Sequence, residues 1–170
     1  MYTIVVADDE EELRRAIIER VDWESIGFTV AGEASNGADA LEIVERIKPD
    51  LLLTDIRMPF VSGIELARQV REICPSTHIA YLSGYDDFSY AQQAIQYNII
   101  SYMLKPISVE DLTKELSVIK QKMDKWFREF AAASETKKAN AEEFAMPLLL
   151  DDYPSKDDAQ RENKLLQQAH

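Results

Sequence analysis

Across residues 1–124, five short apolar runs alternate with five amphipathic stretches. Thr3 to Ala7 is apolar and β-branched, the pattern of a strand buried on both faces. Leu13, Ala16, Ile17 and Val21 then recur at helical spacing. Phe28 to Ala34 predicts a second strand. Leu41, Val44 and Ile47 predict a helix that stops before Pro49. Leu51 to Thr54 is a third strand. Leu66, Val70 and Ile73 mark a helix ended by Pro75. Ile79 to Ser83 predicts the fourth strand, Phe88, Ala91 and Ile95 the fourth helix, and Ile99 to Leu104 the fifth strand. Leu112, Leu116 and Ile119 open a fifth helix. Alternating strands and helices predict an α/β fold, a doubly wound parallel sheet of five strands covered on both faces. In such sheets ligands sit beyond the carboxyl ends of the strands, so chemistry is sought where strands end.

Length and composition sharpen the picture. The 170 residues suit one domain of about 100–150 residues plus an appendage. Apolar residues make up 46%, and Gly and Pro number only 5 and 6, which excludes collagen-like and low-complexity chains. The single cysteine, Cys74, excludes an intrachain disulfide framework and reads as a packed core thiol. No apolar run approaches the ~18 residues of a membrane span, so a cytoplasmic protein is the expectation. The net charge is −12, and residues 1–125 and 126–170 are both acidic. Binding of nucleic acid by these residues is therefore not expected.

The predicted strands end in a particular chemistry. The first ends in Asp8-Asp9, the third in Asp55, the fourth in Ser83-Gly84 and the fifth in Lys105-Pro106. Each has an ordinary explanation alone: Asp9 with Glu12 as a helix cap, Asp55 and Ser83-Gly84 as turn residues, Lys105 as a surface lysine. Together they place three carboxylates, a hydroxyl and an ammonium on one rim, provided the first and third strands are neighbours. The flavodoxin-like order 2-1-3-4-5 has that property and is adopted rather than read from the residues. Three carboxylates and one lysine leave a net charge of −2, which a divalent cation relieves. Oxygen ligands at an accessible rim suit Mg²⁺. One carboxylate can then attack phosphorus and form an aspartyl phosphate, with lysine and serine on the phosphoryl oxygens.

At these residues the chain resembles the receiver domain of two-component response regulators over roughly residues 1–124. The resemblance rests on Val6-Ala7-Asp8-Asp9-Glu10, Thr54-Asp55-Ile56-Arg57-Met58-Pro59, Ser83-Gly84 and Tyr102-Met103-Leu104-Lys105-Pro106. The stretch from Leu82 to Ala91 is similar to the subgroup whose output is an AraC-type DNA-binding domain. The resemblance implies that a sensor histidine kinase phosphorylates Asp55. It implies Asp8, Asp9, Asp55 and the Arg57 backbone carbonyl as Mg²⁺ ligands, and Lys105 as the phosphoryl contact. Ser83 and Tyr102 would be the switch pair, and the Lys105-Pro106 bond would be cis. By itself, Tyr102 also fits a core aromatic. Asn98 stands where the family commonly has glycine, and asparagine tolerates the left-handed conformation. A haloacid dehalogenase-type phosphatase also uses an aspartyl phosphate, but it usually has a second acid where this chain has Arg57. A receiver-like interaction domain that is never phosphorylated is the other rival.

Beyond the receiver-like part, Leu112, Leu116, Ile119, Met123, Trp126, Phe130 and Ala133 recur at alternating spacings of 4 and 3, a heptad seam. Trp126, Phe127 and Phe130 lie past the expected domain end. Residues 125–140 are therefore expected to form a helical extension with the seam of a coiled coil, and 141–170 to begin a linker or middle region. A homodimer through this extension, or through the face of the fourth helix, fifth strand and fifth helix, is expected. Local folding of the tail onto the domain is the alternative. Asp151 to Ser155 reads as a loop, and Ser155 and Asp158 could cap a last helix through Leu165-Leu166. No helix-turn-helix is visible, so DNA binding is expected only of a full-length protein with an output domain outside this chain.

Overall fold

The computed structural model describes residues 1–84 and 88–150. Five strands, β1 (Tyr2–Ala7), β2 (Phe28–Ala34), β3 (Leu51–Thr54), β4 (His78–Ser83) and β5 (Ser101–Leu104), alternate with α1 (Glu11–Arg20), α2 (Gly37–Ile47), α3 (Gly63–Ile73), α4 (Phe88–Gln96) and α5 (Val109–Leu150). All strand pairs are parallel, in the order β2-β1-β3-β4-β5. This is the flavodoxin-like sheet that was expected. The apolar runs build it because both faces are covered. Ile4, Val6, Leu51, Leu53, Leu82 and Met103 pack on one side with Leu112, Leu116, Ile119 and Met123 of α5. Val5, Ala7, Leu52, Ile79 and Tyr81 pack on the other with Val44 of α2 and Leu66, Ala67 and Val70 of α3. Side chains alternate between faces along each strand, so adjacent apolar residues serve both cores.

The helix ends follow local chemistry. Ser62 and Asn36 cap α3 and α2, each side chain accepting a backbone N–H three residues on. Lys48 adopts φ 51° after α2, and Asn98 adopts φ 55° ahead of β5, the conformation anticipated for an asparagine there. Cys74 ends α3 and is buried, with Sγ facing the Val44 carbonyl oxygen.

Several expectations need correction. Asp9 does not cap α1; the N-cap is Glu10, whose side chain makes no capping hydrogen bond. Ile73 and Ile95, which share the helical spacing of the apolar stripes, are 42% and 82% exposed. On α3 the buried positions are Leu66, Ala67, Val70 and then Cys74, so the stripe steps past Ile73. On α4 the neighbouring Ala94 is buried. α5 runs through Pro147 to Leu150 without a break. The expected loop at 151–155 and last helix to Leu166 lie outside the described residues, as do Tyr85, Asp86 and Asp87.

Met1–Asp124 form one unit, and the residues from Lys125 belong to a second. In the second unit, the Trp126 and Phe130 rings stack with centroids 5.2 Å apart, and Phe127 meets Trp126 edge-on. Among the described residues, no helix is long and apolar enough to cross a membrane.

One contact sets the position of the loop after β3. The first residue of α3, Gly63, lies so close to that loop that an added Cβ would overlap the Asp55 carbonyl oxygen and sit 2.8 Å from Ile56 Cα. Urea melts are expected to show Gly63→Ala destabilised by about 1–3 kcal/mol, as for overpacked sites. Gly84→Ala, whose Cβ meets nothing within 4 Å, serves as the silent control.

Candidate phosphoacceptor site

The sheet register builds the site. Ala7 pairs with Thr54, and the next residue of each strand is an aspartate. The Asp55 N–H donates to the Ala7 carbonyl at 2.9 Å, so the two chains are still tied where the carboxylates begin. β5 delivers the lysine in the same way, the Lys105 N–H donating to the Ser83 carbonyl at 2.7 Å. The Lys105-Pro106 bond is cis, as expected. Asp8, Asp9 and Asp55 come together, each offering a carboxylate oxygen within 4.8 Å of the others. Lys105 Nζ lies 2.8 Å from Asp8 Oδ2, 3.2 Å from Asp55 Oδ2 and 3.0 Å from Glu10 Oε1. The remaining oxygens are also held. Asp8 Oδ1 accepts the Glu10 N–H at 2.9 Å, and Asp55 Oδ1 accepts the Ile56 N–H at 2.7 Å.

Asp8, Asp55 and Ser83 are buried, while Asp9 is exposed at the mouth. A pocket of about 220 Å³ opens there, lined by Asp9, Glu10, Asp55, Arg57, Ser83 and Lys105. The electrostatics are those of crowded acids. Burial raises the pKa of both Asp8 and Asp55, and the charge of Asp8 raises Asp55 further. Lys105 is pulled two ways. Burial lowers its pKa, but the Asp8 and Glu10 hydrogen bonds and the Asp55 charge outweigh it, and the net shift is upward. The lysine is therefore a fixed cation over the working pH range.

Six of the seven residues singled out in the sequence thus meet at one rim: Asp8, Asp9, Asp55, Arg57, Ser83 and Lys105. The seventh, Tyr102, stands apart. It is half-buried and packs edge-on against Tyr81 at 6.2 Å, in the apolar cluster on the α3 side of the sheet. Two residues were missed. Glu10 shares Lys105, and Arg14 donates to the Asp8 carbonyl oxygen at 2.7 Å. The unbroken acidic run from Asp8 to Glu12 was the available signal, since five acids in a row need cations nearby.

The description "response regulator receiver domain" matches residues 4–117. The chain belongs to this family. The receiver is 35% identical over 119 residues to the uncharacterized transcriptional regulatory protein YesN of Bacillus subtilis, covering 70% of this chain and 32% of that protein. It is 33% identical over 107 residues to the transcriptional regulatory protein HptR of Staphylococcus aureus, covering 63% of this chain and 42% of that one. This receiver chain therefore spans a third to a half of the length of such curated relatives. Among solved structures, the REC domain of AraT, a response regulator from Geobacillus stearothermophilus, superposes with a TM-score of 0.69. It is 36% identical and covers 73% of this chain and 96% of that one. A two-component transcriptional regulator AraC from Clostridium phytofermentans gives a TM-score of 0.67 at 31% identity, covering 74% of this chain and 97% of that one. Receiver domains are in general signalling modules rather than turnover enzymes.

The crowding has a measurable cost. In chelator-treated buffer at neutral pH, Asp55→Asn is expected to melt higher than the wild-type receiver. It removes a buried charge that Asp8 repels, and it leaves Lys105 paired with Asp8 and Glu10. The expected rise is a few degrees, since each kcal/mol moves the midpoint by about 2–4 °C at this size. A lower midpoint in a thermal scan would contradict the repulsion argument.

Proposed function

We propose that this receiver accepts a phosphoryl group on Asp55 from the phosphohistidine of a sensor histidine kinase, with Mg²⁺ as cofactor. The observation that carries this reading is the meeting of three carboxylates around one lysine at the carboxyl edge of the sheet. The donor set suits the ion: hard oxygen ligands, a net negative rim and room for phosphoryl oxygens. Asp8, Asp9 and Asp55 would hold it together with the Arg57 carbonyl oxygen. Bound there, it would supply neutralisation of the phosphoryl charge.

The chain's own residues do the rest. An Asp55 carboxylate oxygen attacks phosphorus as the bond from phosphorus to the imidazole nitrogen breaks, and the histidine leaves as neutral imidazole once protonated. Lys105 gives up a carboxylate contact and takes a phosphoryl oxygen. Positioning and charge provide most of the rate, as is general for phosphoryl transfer. Ser83 then turns its hydroxyl to another phosphoryl oxygen, and Tyr102 moves into the space released. A dianionic group thereby biases a switch between two packings.

The reading extends to the longer protein. A cytoplasmic transcription regulator with an AraC-type DNA-binding output fits the relatives, which are transcriptional regulators by name, while this acidic chain would itself contact no nucleic acid. Residues 1–124 would be the receiver, 125–140 a helical extension and 141–170 the start of a middle region. Two surfaces favour a homodimer. Trp126, Phe127 and Phe130 are 37%, 37% and 58% exposed on the extension, and Ile95, Leu104 and Val118 are exposed on α4, β5 and α5.

Incubation with Mg²⁺ and acetyl phosphate is expected to add one phosphoryl group to the intact mass, and Asp55→Asn is expected to remain unmodified. No mass gain from either acetyl phosphate or a cognate kinase would overturn the reading. For the extension, sedimentation is expected to show a dimer for the wild type and a monomer for Trp126→Glu with Phe130→Glu; identical monomers would reject that interface.

A further inference from the structure

We propose that Arg14 is a positioning residue for the metal-binding turn, clamping the backbone that carries Asp8 and Asp9 and thereby setting the affinity for Mg²⁺. The inference rests on the reading of the acidic rim as a Mg²⁺ site and adds to it a residue that touches neither metal nor phosphoryl group.

The geometry is a bracket across three elements. Arg14 sits on the first turns of α1, and its backbone N–H donates to the Glu10 carbonyl at 2.9 Å. One arm of its guanidinium, Nη1, reaches back to the Asp8 carbonyl oxygen at 2.7 Å. Nε donates to Glu33 Oε2 at 3.0 Å, and Glu33 lies on β2, paired with Val6 of β1. The side chain of Arg14 is only 13% exposed, unlike Arg15, which is 65% exposed in its ion pair with Glu11. A planar guanidinium with two fixed donors suits this double task, whereas a lysine offers a single point charge.

The clamp matters because of what it holds. Asp8 to Glu12 are five successive acids. Like charges at this density push the turn open. Asp8 is held from every side. Its N–H donates to the Ala34 carbonyl at 3.0 Å, its carboxylate is held by the Glu10 N–H and Lys105, and its carbonyl is held by Arg14. Only the carboxylate hold by Lys105 must loosen for a cation to enter. The backbone hold by Arg14 can persist and keep both carboxylates aimed at the rim. Groups outside the ligand set that orient ligands in this way typically contribute about 10–100-fold to metal affinity.

The sign of the effect separates this role from a plain charge effect. A positive charge acting through space repels a divalent cation, so deleting it would tighten binding. A clamp does the opposite when lost. The test is calorimetric titration of Mg²⁺ into the metal-stripped full chain. Arg14→Ala is expected to bind at least about tenfold more weakly than wild type, and Arg14→Lys to fall between them, since it keeps the charge and loses the fork. Equal or tighter binding by Arg14→Ala overturns the proposal. Melting by circular dichroism in chelator reports folding. Should the alanine variant not fold, the lysine variant decides, wild-type affinity overturning the proposal and weakened binding supporting it. At saturating Mg²⁺, phosphorylation of Arg14→Ala by acetyl phosphate is expected to return to within about twofold of wild type. A deficit that persists there assigns Arg14 another role and also overturns the clamp. Wild type that binds no Mg²⁺ sinks the metal reading together with this one. Wild type that binds while Arg14→Ala binds as well sinks the clamp alone.

Discussion

The structure turns on the repulsion among Asp8, Asp9 and Asp55, held in check by one lysine. The register of β1 against β3 forces the first and last of these together, because the two strands run out of pairing at Ala7 and Thr54 and each continues into an aspartate. Neither can be moved away without unpairing a buried strand. Lys105 relieves part of the strain, and its three carboxylate contacts exhaust its donors. What remains is an acidic deficit at a solvent-open rim. A protein evolved only for stability would replace one of these acids, so the retained cost points to function. The membership of the chain in the receiver family agrees with that inference.

Much of this was legible in the residues because the sheet is parallel and buried. A strand covered on both faces is mainly apolar, so the first charged residue after the runs of β1, β3 and β5 marks the carboxyl end. Asp8, Asp55 and Lys105 were found by that rule alone. The neighbourhood of β1 and β3 was not legible in the same way. It depends on which faces the connecting helices take, and it was borrowed from a common topology. The outcome agrees with the borrowed order.

The misplacements share one cause. Ile73 and Ile95 are apolar residues at helical spacing that face solvent, beside smaller residues, Cys74 and Ala94, that face the core. Periodicity in a short helix leaves about one position of slack. The supporting cast of the site escaped for a different reason. Glu10 and Arg14 look like surface charges of an amphipathic helix. Their roles come from the bend between β1 and α1, which brings their side chains back toward Asp8 and Lys105. No pattern of hydrophobicity encodes a bend of that kind.

The placement of the proposed chemistry within the sheet also explains how a local charge could be felt at a distance. Asp8 and Asp55 follow β1 and β3, two inner strands that are buried and paired on both sides. They cannot yield, so a new dianion there must be accommodated elsewhere. The yielding side is the β4–β5 edge. Ser83 ends β4, its carbonyl accepts the Lys105 N–H, and Tyr102 lies two residues before Leu104, the residue paired with Ser83. β5 is the edge strand, and its Leu104 is 47% exposed. A pull on Lys105, or on Ser83 through the hydrogen bond between its carbonyl and the Lys105 N–H, therefore reaches an edge strand with a single partner. Rigid acids in the centre and a half-free edge beside them form the arrangement in which a small electrostatic bias becomes a change of surface.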